Sequence, residues 1–426
     1  MGRAAEVRLA ACARSRTILP KQENAMIGFT PTEEQQQLID TARGFAQTRV
    51  RPLAQRVRRD GAPEDPWPLV RPVFEEGAAL GFTRLFVPQE LGGMGGTCLD
   101  AVLLLEELGA ADVGIASDYF ALTACMPLMA MRAGSASGEA FLRRFAEAPA
   151  MVLAGAQSEP DVAGSELMMA GPDPAFGPKL SAREISDGWV LSGRKSAFIT
   201  NAGAADAYLI IARTDPAQPV FSGLSIFLVP AGTPGLTVGK KTKLIGWPLT
   251  THAELVLDDV RLPADALIGQ RGGAAMTFGM VPEMPVGLAA CFVGLARAAF
   301  EHARDYAAER KSIGRPIAGH ANVAMKLAEM AINVETARLH VWQAAAACET
   351  DPMRAAMLLA PMAKATAVDM AIRNAELAVQ VLGGYGVTQE YDAGHFLKDA
   401  WIGWSCDFTR DVLHLGIAQA LYGPPG

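Results

Sequence analysis

The chain has 426 residues, of which 50% are hydrophobic and only 19% are charged, a composition typical of a globular protein with a large core. Disordered and fibrous classes are thereby excluded. Lysine and arginine number 38 against 45 aspartates and glutamates, and the net charge of −7 offers no basic excess to a nucleic acid partner. The longest apolar stretch, 285–296, is shorter than the ~18 to 20 residues that cross a bilayer, so we expect a buried helix and no membrane partner.

The cysteine pattern argues against a metal centre. The six cysteines, at positions 12, 98, 125, 291, 348 and 406, include no CxxC pair, and no histidine lies at metal-ligand spacing from them. We therefore expect neither a metal site nor a disulfide framework.

Residues 1–28 differ from the rest of the chain. They carry four arginines among the first 16 residues, with little apolar periodicity before Met26. Such a leader is typical of an organelle transit peptide, but a start codon upstream of a true start at Met26 explains it equally. We expect the leader to lie outside the fold of a cytoplasmic protein, or of a mitochondrial matrix protein if the leader is a transit peptide.

The following stretch, residues 29–150, has a helical pattern. Thr30 is the predicted N-cap of the first helix, followed by Pro31 at the first helical position and Glu33 in the opening turn. The glycine-rich segment 91–96 lacks the strand and helix that flank a dinucleotide-binding loop, so it is predicted to be a turn. Apolar spacings of three and four residues resume from Asp100.

Residues 151–270 change to a period of two, which indicates strands. Short β-rich runs at 189–191, 208–212, 224–229 and 253–257 are separated by glycine, proline, aspartate and asparagine. Because long helices do not alternate with these runs, we expect a small, mainly antiparallel β domain and not a doubly wound parallel sheet.

Residues 271–426 return to helices of bundle length. Helices are predicted at 286–310, 318–349, 353–382 and 395–420, with breaks at glycine and proline in 314–316, 351–352 and 383–386. Four antiparallel helices are the expected arrangement, and the whole chain is predicted to be an α+β protein that is mostly α.

Four short motifs could carry chemistry. They are Ser158-Glu-Pro followed by Ala163-Gly-Ser165-Glu, the strand end KSAFITN at 195–201, the helix end ERKSIGRP at 309–316, and QVLGGYG at 380–386. At these residues, in this order and over about 29–421, the chain resembles the acyl-CoA dehydrogenase family of flavoproteins. The resemblance implies a helical N-terminal domain, a β-barrel-like middle domain, a C-terminal four-helix bundle, bound FAD, and a homotetramer or dimer.

The resemblance also implies which residues contact FAD. Ser158 and Thr200 match hydroxyl donors to the flavin ring, and Phe198 matches an aromatic that lies against the isoalloxazine. Arg310 matches a residue that reaches the FAD pyrophosphate of a neighbouring subunit, a task suited to a guanidinium. The remaining implied contacts are Ile313, Gln380, Gly383, Gly384 and Thr409. Apart from the resemblance, a loop serine or threonine commonly caps a turn, and an arginine at a helix end commonly faces the helix dipole.

The implied reaction removes a proton from the α carbon of an acyl thioester and a hydride from the β carbon, so it requires a carboxylate base. Aligning 398–402 with the family's final motif places Asp407 where most members carry a glutamate, and Phe408 where they carry a glycine. Aspartate has the same chemistry with one methylene less reach, and a pocket of low dielectric raises its proton affinity. Ser165 and Phe408 are the implied substrate contacts, and the bulk of Phe408 must narrow the cavity or redirect the loop.

A second carboxylate is a reserve candidate for the base. Some family members take the base from an earlier helix, where this chain has Glu283 followed by Met284. Without gaps Met284 occupies that position, and a shift of one residue rotates a helical side chain by about 100°. Pro282 and Pro285 distort the local backbone, so the register, and with it Glu283, stays open.

The sequence therefore predicts an FAD-dependent acyl thioester dehydrogenase with an atypical substrate, carried by CoA or by an acyl carrier protein. Two alternatives stay open: a flavin-dependent oxygenase or specialised desaturase acting on a carrier-tethered intermediate, and a non-catalytic flavoprotein or scaffold. The resemblance implies an electron-transferring flavoprotein as the electron acceptor. Neither the acyl chain nor the carrier follows from these residues.

Overall fold

The computed structural model of the protein describes residues 30–85, 87–131, 136–148, 150–163, 166–169 and 171–423, without the side chains of Met168, Met169 and Phe278. The predicted leader and Ser165 lie outside these residues. From Leu38 onward the chain forms one compact unit, and its hydrophobic core includes residues from Ala42 to Ile402.

The first part of the described chain is helical, as the periodicity predicts. Its elements are α1 (Glu33–Phe45), α2 (Arg51–Asp60), α3 (Trp67–Ala79), α4 (Cys98–Ala111), α5 (Val113–Ala130) and α6 (Ala136–Glu147), with a π-helical turn at Ala46–Val50 and 3₁₀ turns at Phe82–Arg84 and Gln89–Leu91. The predicted cap at Thr30 is wrong by two residues, because Thr32 Oγ1 accepts from Gln35 N (3.2 Å) and Gln35 Oε1 accepts from Thr32 N (3.1 Å). This reciprocal pair satisfies two backbone donors that the helix start leaves free.

One eight-stranded sheet forms the middle of the fold. Its strands are β1 (Leu153–Ala156), β2 (Ser181–Ile185), β3 (Gly188–Thr200), β4 (Ala207–Arg213), β5 (Leu224–Pro230), β6 (Leu236–Lys241), β7 (His252–Pro263) and β8 (Leu267–Ile268), with short helices α7 (Glu166–Met169) and α8 (Val220–Gly223). The strand order is β6-β7-β3-β2-β4-β5-β8, and β1 pairs with β4 in parallel. The four predicted runs all lie within strands, and most of the pairing is antiparallel, as predicted.

The rest of the described chain is again mostly helical. Its elements are α9 (Ala274–Gly279), α10 (Glu283–Glu309), α11 (Ala321–Thr350), α12 (Pro352–Arg354), α13 (Ala360–Leu382), α14 (Ala393–Ser405) and α15 (Arg410–Tyr422), with a hairpin of β9 (Lys311–Ser312) and β10 (Arg315–Pro316), a π-helical turn at Ala355–Leu359, and 3₁₀ turns at Ala264–Ala266, Ile317–Gly319 and Gly383–Val387. The predicted fold class, helical, then sheet, then helical, is confirmed.

The one helix predicted at 395–420 is wrong, because residues 406–409 divide it into α14 and α15. Asp407 and Phe408 adopt φ of 42° and 69°, in the left-handed region where a right-handed helix cannot continue. Thr409 then caps α15, and its side chain accepts from Val412 N (3.4 Å). Apolar residues continue on both sides of this break without a glycine or proline between them, so the sequence carries no stop signal there.

Helices α4 and α10 cross in direct backbone contact at the centre of the core. A Cβ added to Gly109 would lie 2.4 Å from the carbonyl oxygen of Cys291, and one added to Gly294 would lie 2.3 Å from that of Glu106. Both positions therefore require glycine if the two helices are to approach this closely. The contact places α10 between the N-terminal helices and the rest of the bundle.

Within the described residues, three helical segments are long and apolar enough to cross a membrane, judged by length and composition alone. They are Val113–Ala130, Glu283–Glu309 and Pro352–Val387, and 83%, 78% and 56% of their most apolar windows is buried inside the fold. The buried helix predicted at 285–296 lies in the second of them. Most of this apolar surface is thus used for the core.

A buried arginine joins the three parts of the fold. Arg58 of α2 is 5% exposed, and its Nη2 lies 3.2 Å from Asp112 Oδ2 at the α4–α5 junction and 3.3 Å from Asp399 Oδ2 of α14. Asp399 Oδ1 accepts from the backbone N of Trp247 (2.8 Å), and its carbonyl oxygen accepts from the Trp247 indole (3.1 Å). Burial raises the pKa of Asp399 to about 6, and the Arg58 charge opposes that rise.

Arg58→Ala should destabilise the protein by about 3–5 kcal/mol, because it leaves two buried carboxylates without their counter-charge. The matched control is Arg59→Ala, at the neighbouring position on α2, where the side chain is 75% exposed and we expect a change within about 0.5 kcal/mol. Thermal unfolding of the two variants beside the wild type measures both effects. Equal losses of stability would contradict a special role of Arg58.

Candidate functional site

An exposed aromatic ring marks the end of strand β3. Phe198 is 64% exposed. In the pairing of β3 with β7, Lys195 faces Leu255 and Ile199 faces Ala253, so three residues of β3 lie opposite one residue of β7. A bulge of this kind takes residues out of the ladder and redirects a side chain. Phe198 therefore presents an apolar face on which a flat ring can pack.

A pair of serine hydroxyls lies close to this bulge. Ser158 Oγ and Ser196 Oγ are 2.6 Å apart, and Ser196 N donates to the carbonyl oxygen of Ser158 (2.9 Å). A buried ion pair holds the same segment, because Lys195 Nζ lies 3.0 Å from Glu159 Oε1 and donates to the carbonyl oxygen of Gln157 (3.0 Å). These bonds fix the half-buried Ser158 hydroxyl beside β3.

Thr200, the last residue of β3, has a histidine neighbour. Thr200 Oγ1 lies 3.3 Å from His252 Nε2. Burial lowers the pKa of His252 to about 4, so its imidazole is neutral at neutral pH. The next residue, Asn201, donates from Nδ2 to the carbonyl oxygens of Leu153 in β1 (3.2 Å) and Asp118 in α5 (3.4 Å). Asn201 thereby ties the strand end that carries Thr200 to α5.

The loop of residues 406–409, here called the base loop, is held by one lysine of α13. Lys364 is 1% exposed, and its Nζ donates to the carbonyl oxygens of Cys406, Asp407 (3.0 Å) and Phe408 (2.6 Å). Left-handed backbone costs a residue other than glycine roughly 1–2 kcal/mol, and the loop has two such residues in succession. The three hydrogen bonds help to offset this cost. Phe408 is half-buried, and its ring packs against the hydrophobic core.

The environment of Asp407 favours a carboxylate with increased proton affinity. Burial raises the pKa of Asp407, and the positive charge of Lys364 partly opposes that rise. On the other side, the charge of Asp407 adds to the raised pKa of the Cys125 thiol on α5. The carboxylate thus lies between α13 and α5, half-buried.

The strand end with Thr200 and the base loop lie along one face of α5. Asn201 bonds to residue Asp118 of α5, and Asp407 lies near Cys125, seven residues later. Residues seven apart share a face and are about 10 Å apart along a helix. The ring centroid of Trp247 lies 6.4 Å from that of His252 and 6.1 Å from that of Phe292. Phe292 in turn packs against Gly403 of α14, three residues before the base loop, where an added Cβ would lie 2.3 Å from its ring. The Thr200 hydroxyl at the strand end and the half-buried Asp407 carboxylate therefore lie along the same helix face.

Glu283 occupies a different environment. It is the first residue of α10, and burial raises its pKa, with a smaller contribution from the charge of Glu349. Its charge also reaches the buried thiol of Cys98. Met284, one residue on, contacts Gln157 beyond the end of β1, with 3.9 Å between Gln157 Nε2 and Met284 Sδ. The side chain that faces the β1 end is thus Met284, and Glu283 faces the start of α4 and the end of α11.

A second group of predicted residues lies at the opposite end of α13. The Arg310 guanidinium stands 5.7 Å from the centre of the Tyr385 ring, and both line a cavity of about 1000 Å³. Gln380 accepts from Lys326 Nζ (2.7 Å) near the same helix end. Gln380 follows Lys364 by sixteen residues, which is about 24 Å of helix. One chain therefore does not bring Gln380 to the base loop.

Two residues of this second group, Ile313 and Gly384, have exposed positions that suit contact with another molecule. Ile313 is 90% exposed and has φ of 50°, a rare conformation for a β-branched residue. A Cβ added to Gly384 would meet no atom within 4 Å, so nothing in this chain itself requires glycine there. Close approach of a second molecule would require it.

Sequence reasoning missed three residues of this site: Ser196, His252 and Lys364. Lys364 carried a signal, since it is the one charged residue in the mostly apolar segment 355–368. Ser196 belongs to the KSAFITN motif, in which only Phe198 and Thr200 were assigned. His252 had no signal, because its contact with Thr200 joins strands 52 residues apart.

The described residues fit FAD in two places. The exposed ring of Phe198, with the hydroxyls of Ser158 and Thr200, suits a flat heterocycle that carries hydrogen-bonding edges. The exposed Arg310 and the open space above Gly384 suit a phosphate and a closely approaching nucleotide.

Comparison with known proteins agrees with this geometry. Residues 32–148, 154–260 and 273–421 match the N-terminal, middle and C-terminal domains of acyl-CoA dehydrogenase. The cyclohex-1-ene-1-carbonyl-CoA dehydrogenase of Syntrophus aciditrophicus (strain SB) is 32% identical over 395 residues, covering 92% of this chain and 91% of that protein.

Solved structures show the same fold. The structure of butyryl-CoA dehydrogenase from Megasphaera elsdenii is similar with a TM-score of 0.84 and 30% identity, over 93% of this chain and 100% of that one. The FAD complex of PigA is similar with a TM-score of 0.81 and 25% identity, over 93% and 100% of the two chains. These matches do not favour the oxygenase, desaturase or scaffold alternatives. The chain belongs to the acyl-CoA dehydrogenase family and is an FAD-dependent oxidoreductase that dehydrogenates acyl-CoA thioesters.

Proposed function

We propose that Asp407 is the base that removes the α proton of the acyl-CoA substrate. The base loop carries this proposal: it holds a half-buried carboxylate of raised pKa on the face of α5 that also meets the strand end with Thr200. A raised pKa brings a carboxylate closer to the range in which it accepts a proton efficiently. Glu283 is less suited, because it faces Cys98 and Glu349 and not the strand end.

We propose that Phe198, Ser158 and Thr200 hold the flavin ring. Phe198 would pack against the ring, and the two hydroxyls would bond to its polar edge. Thr409 accepts from Val412 N through its hydroxyl oxygen, which leaves the hydroxyl proton free to donate to FAD. Bound FAD supplies the acceptor for the β hydride. Asp407 would accept the α proton, so the α and β carbons would give up their hydrogens to different groups of the site.

Arg310, Ile313, Gln380, Gly383 and Gly384 are proposed to contact FAD held by a second copy of the chain. The separation of about 24 Å between Lys364 and Gln380 supports the proposal that the base loop and this second group of residues serve different FAD molecules. An exposed apolar stripe on α11 suits the subunit contact: Met325, Ile332 and Leu339, seven residues apart, are 73%, 64% and 42% exposed. A homotetramer or dimer is thus part of the proposal, and an electron-transferring flavoprotein remains the proposed acceptor.

We infer a short or compact acyl chain carried by CoA. The relatives named above act on butyryl-CoA and on a cyclohexenecarbonyl-CoA. In this chain, Phe408 stands where most members carry glycine and lies half-buried beside the proposed base. Its ring fills space next to Asp407 that a longer acyl chain would need. Ser165 lies outside the described residues and remains a predicted substrate contact, and a cytoplasmic location remains a prediction.

Asp407→Asn should lower kcat by at least about 100-fold while FAD stays bound, because the amide keeps the shape but cannot accept the proton. Asp407→Glu is the matched control, since it keeps a carboxylate at a displaced position; it should lose turnover too, but retain clearly more than Asp407→Asn. Glu283→Gln should leave turnover within about twofold. Steady-state rates with an artificial electron acceptor, together with the flavin spectrum of each variant, measure these effects. Full activity of Asp407→Asn and loss of activity in Glu283→Gln would assign the base to Glu283.

The pH dependence of kcat/KM should show an acid limb above the ordinary aspartate pKa of about 3.9, because burial raises the pKa of Asp407. Activity is present when the carboxylate is ionised and falls as pH decreases through the raised pKa. Preincubation at each pH, followed by assay at neutral pH, separates protonation from denaturation. A reversible limb at or below pH 3.9 would show that the base is not in this environment.

Arg310→Ala should weaken FAD binding by about 10-fold or more, because a charge-assisted hydrogen bond to phosphate contributes about 1.5–3 kcal/mol. Arg304→Ala is the matched control on the same helix, at a side chain that is 53% exposed and pairs with Asp305. FAD release on dilution, followed by flavin fluorescence, gives the two affinities. Light scattering on the same samples gives the number of subunits. Unchanged FAD affinity in Arg310→Ala, or FAD retention by a monomer, would contradict the shared site.

A further inference from the structure

Lys364 uses all of its hydrogen-bonding capacity on one loop. An ammonium has three N–H donors, and the three acceptors here are the backbone carbonyls of Cys406, Asp407 and Phe408. In the part of the chain that the structure describes, no ion pair includes Lys364, although it is 1% exposed. The ammonium therefore donates its hydrogen bonds to the loop backbone, and it acts on the Asp407 carboxylate through its charge alone.

The base loop has a conformation that needs such support. Asp407 and Phe408 are consecutive left-handed residues, neither of them glycine. A conformation of this kind persists only when surrounding contacts determine it. The carbonyl oxygens of three consecutive residues converge on the one Nζ atom, so each peptide unit of the loop has its orientation fixed by a hydrogen bond. The Asp407 side chain leaves the backbone from the middle of the three.

We propose that Lys364 is a positioning residue for the dehydrogenation, whose ammonium fixes the base loop and with it the place of the Asp407 carboxylate. The inference rests on Asp407 being the base, as proposed above. Proton transfer tolerates little misplacement, and a shift of about 1 Å can cost about 100-fold in rate. Aspartate has one methylene less reach than glutamate, so the backbone of this loop must bring the carboxylate closer to its proton.

Among the described residues, Lys364 is the one charged group that shifts the pKa of Asp407. From α5 it meets the thiol of Cys125, whose pKa burial raises to about 12. On its own loop lies Cys406, whose pKa burial also raises to about 12. Cys291 of α10 faces Cys406, and burial raises the pKa of its thiol even more strongly than that of Cys406. These thiols are neutral, so a change at Lys364 alters the charge around Asp407 without compensation.

The test compares two buried side chains of α13. Lys364→Met keeps the length of the side chain and removes its donors. Asn374→Ala is the control, since Asn374 Nδ2 also donates to backbone carbonyls, those of Ala296 (3.1 Å) and Met330 (3.0 Å), about 15 Å further along the helix. Both variants should lower the thermal midpoint. Lys364→Met should also lower kcat about 100-fold with KM changed less than about threefold, whereas Asn374→Ala should keep the wild-type kcat.

Two further readouts separate positioning from general destabilisation. The acid limb of kcat/KM should move to higher pH in Lys364→Met, because loss of the nearby positive charge raises the pKa of Asp407, and should stay in place in Asn374→Ala. Exchange of the substrate's α protons with solvent deuterium, followed by NMR under anaerobic conditions, reports proton removal apart from turnover. We expect this exchange to slow in Lys364→Met by the same factor as kcat.

Lys364→Arg keeps the test decisive if Lys364→Met does not fold. Its guanidinium retains the charge but spreads its donors over a planar fork, which does not reach three carbonyls from one atom. We expect kcat to fall while the acid limb stays at its wild-type pH. A wild-type kcat and pH profile in either Lys364 variant would overturn the inference. If Asp407→Asn is inactive in the same assay, only the role of Lys364 fails; if it is active, the base assignment fails first.

Discussion

The arrangement of the site depends on one buried guanidinium that lies where three parts of the chain meet. Arg58 of α2 bonds to Asp112, which caps α5, and to Asp399 of α14, which in turn holds the loop before β7 through Trp247. Taking these charges out of water is costly, and the cost is offset only when all partners are in place. The cluster therefore fixes the positions of α5, the sheet and α14 relative to one another. These are the elements that carry the proposed flavin platform and lead into the base loop.

Within this arrangement of helices and strands, buried polar side chains fix the loops and strand ends of the site through hydrogen bonds. Asn201 ties the end of β3 to β1 and α5, the pair of Lys195 and Glu159 holds the serine segment, and Lys364 holds the base loop. Each of these polar groups is buried and donates to carbonyls or pairs with a carboxylate, which makes its position well determined. The exposed groups, Phe198 and Arg310, are the ones left to meet FAD. The residues that fix the backbone of the site are thus different from the exposed residues proposed to contact FAD.

The sequence predicted the fold class and most strands and helices, because hydrophobic periodicity and the turn residues glycine and proline agree over long segments. It did not predict the break at 406–409, where Asp407 and Phe408 adopt left-handed backbone that local composition does not favour. It did not find Lys364 or His252 either, since their roles arise from contacts with residues more than 40 positions away. Asp407 was found only through the family resemblance. A residue on a loop that tertiary contacts hold, as Asp407 is, has no periodic signal of its own.

The most direct test of the account is the anaerobic visible spectrum of the purified protein, mixed with acyl-CoA thioesters of increasing chain length. The account predicts that the flavin band is present, that a short or compact thioester such as butyryl-CoA bleaches it rapidly, and that a long-chain thioester bleaches it much more slowly. A flavin band that no acyl-CoA bleaches would contradict the dehydrogenase assignment. Bleaching by long chains alone would contradict the proposed place of Phe408 beside the reacting carbons.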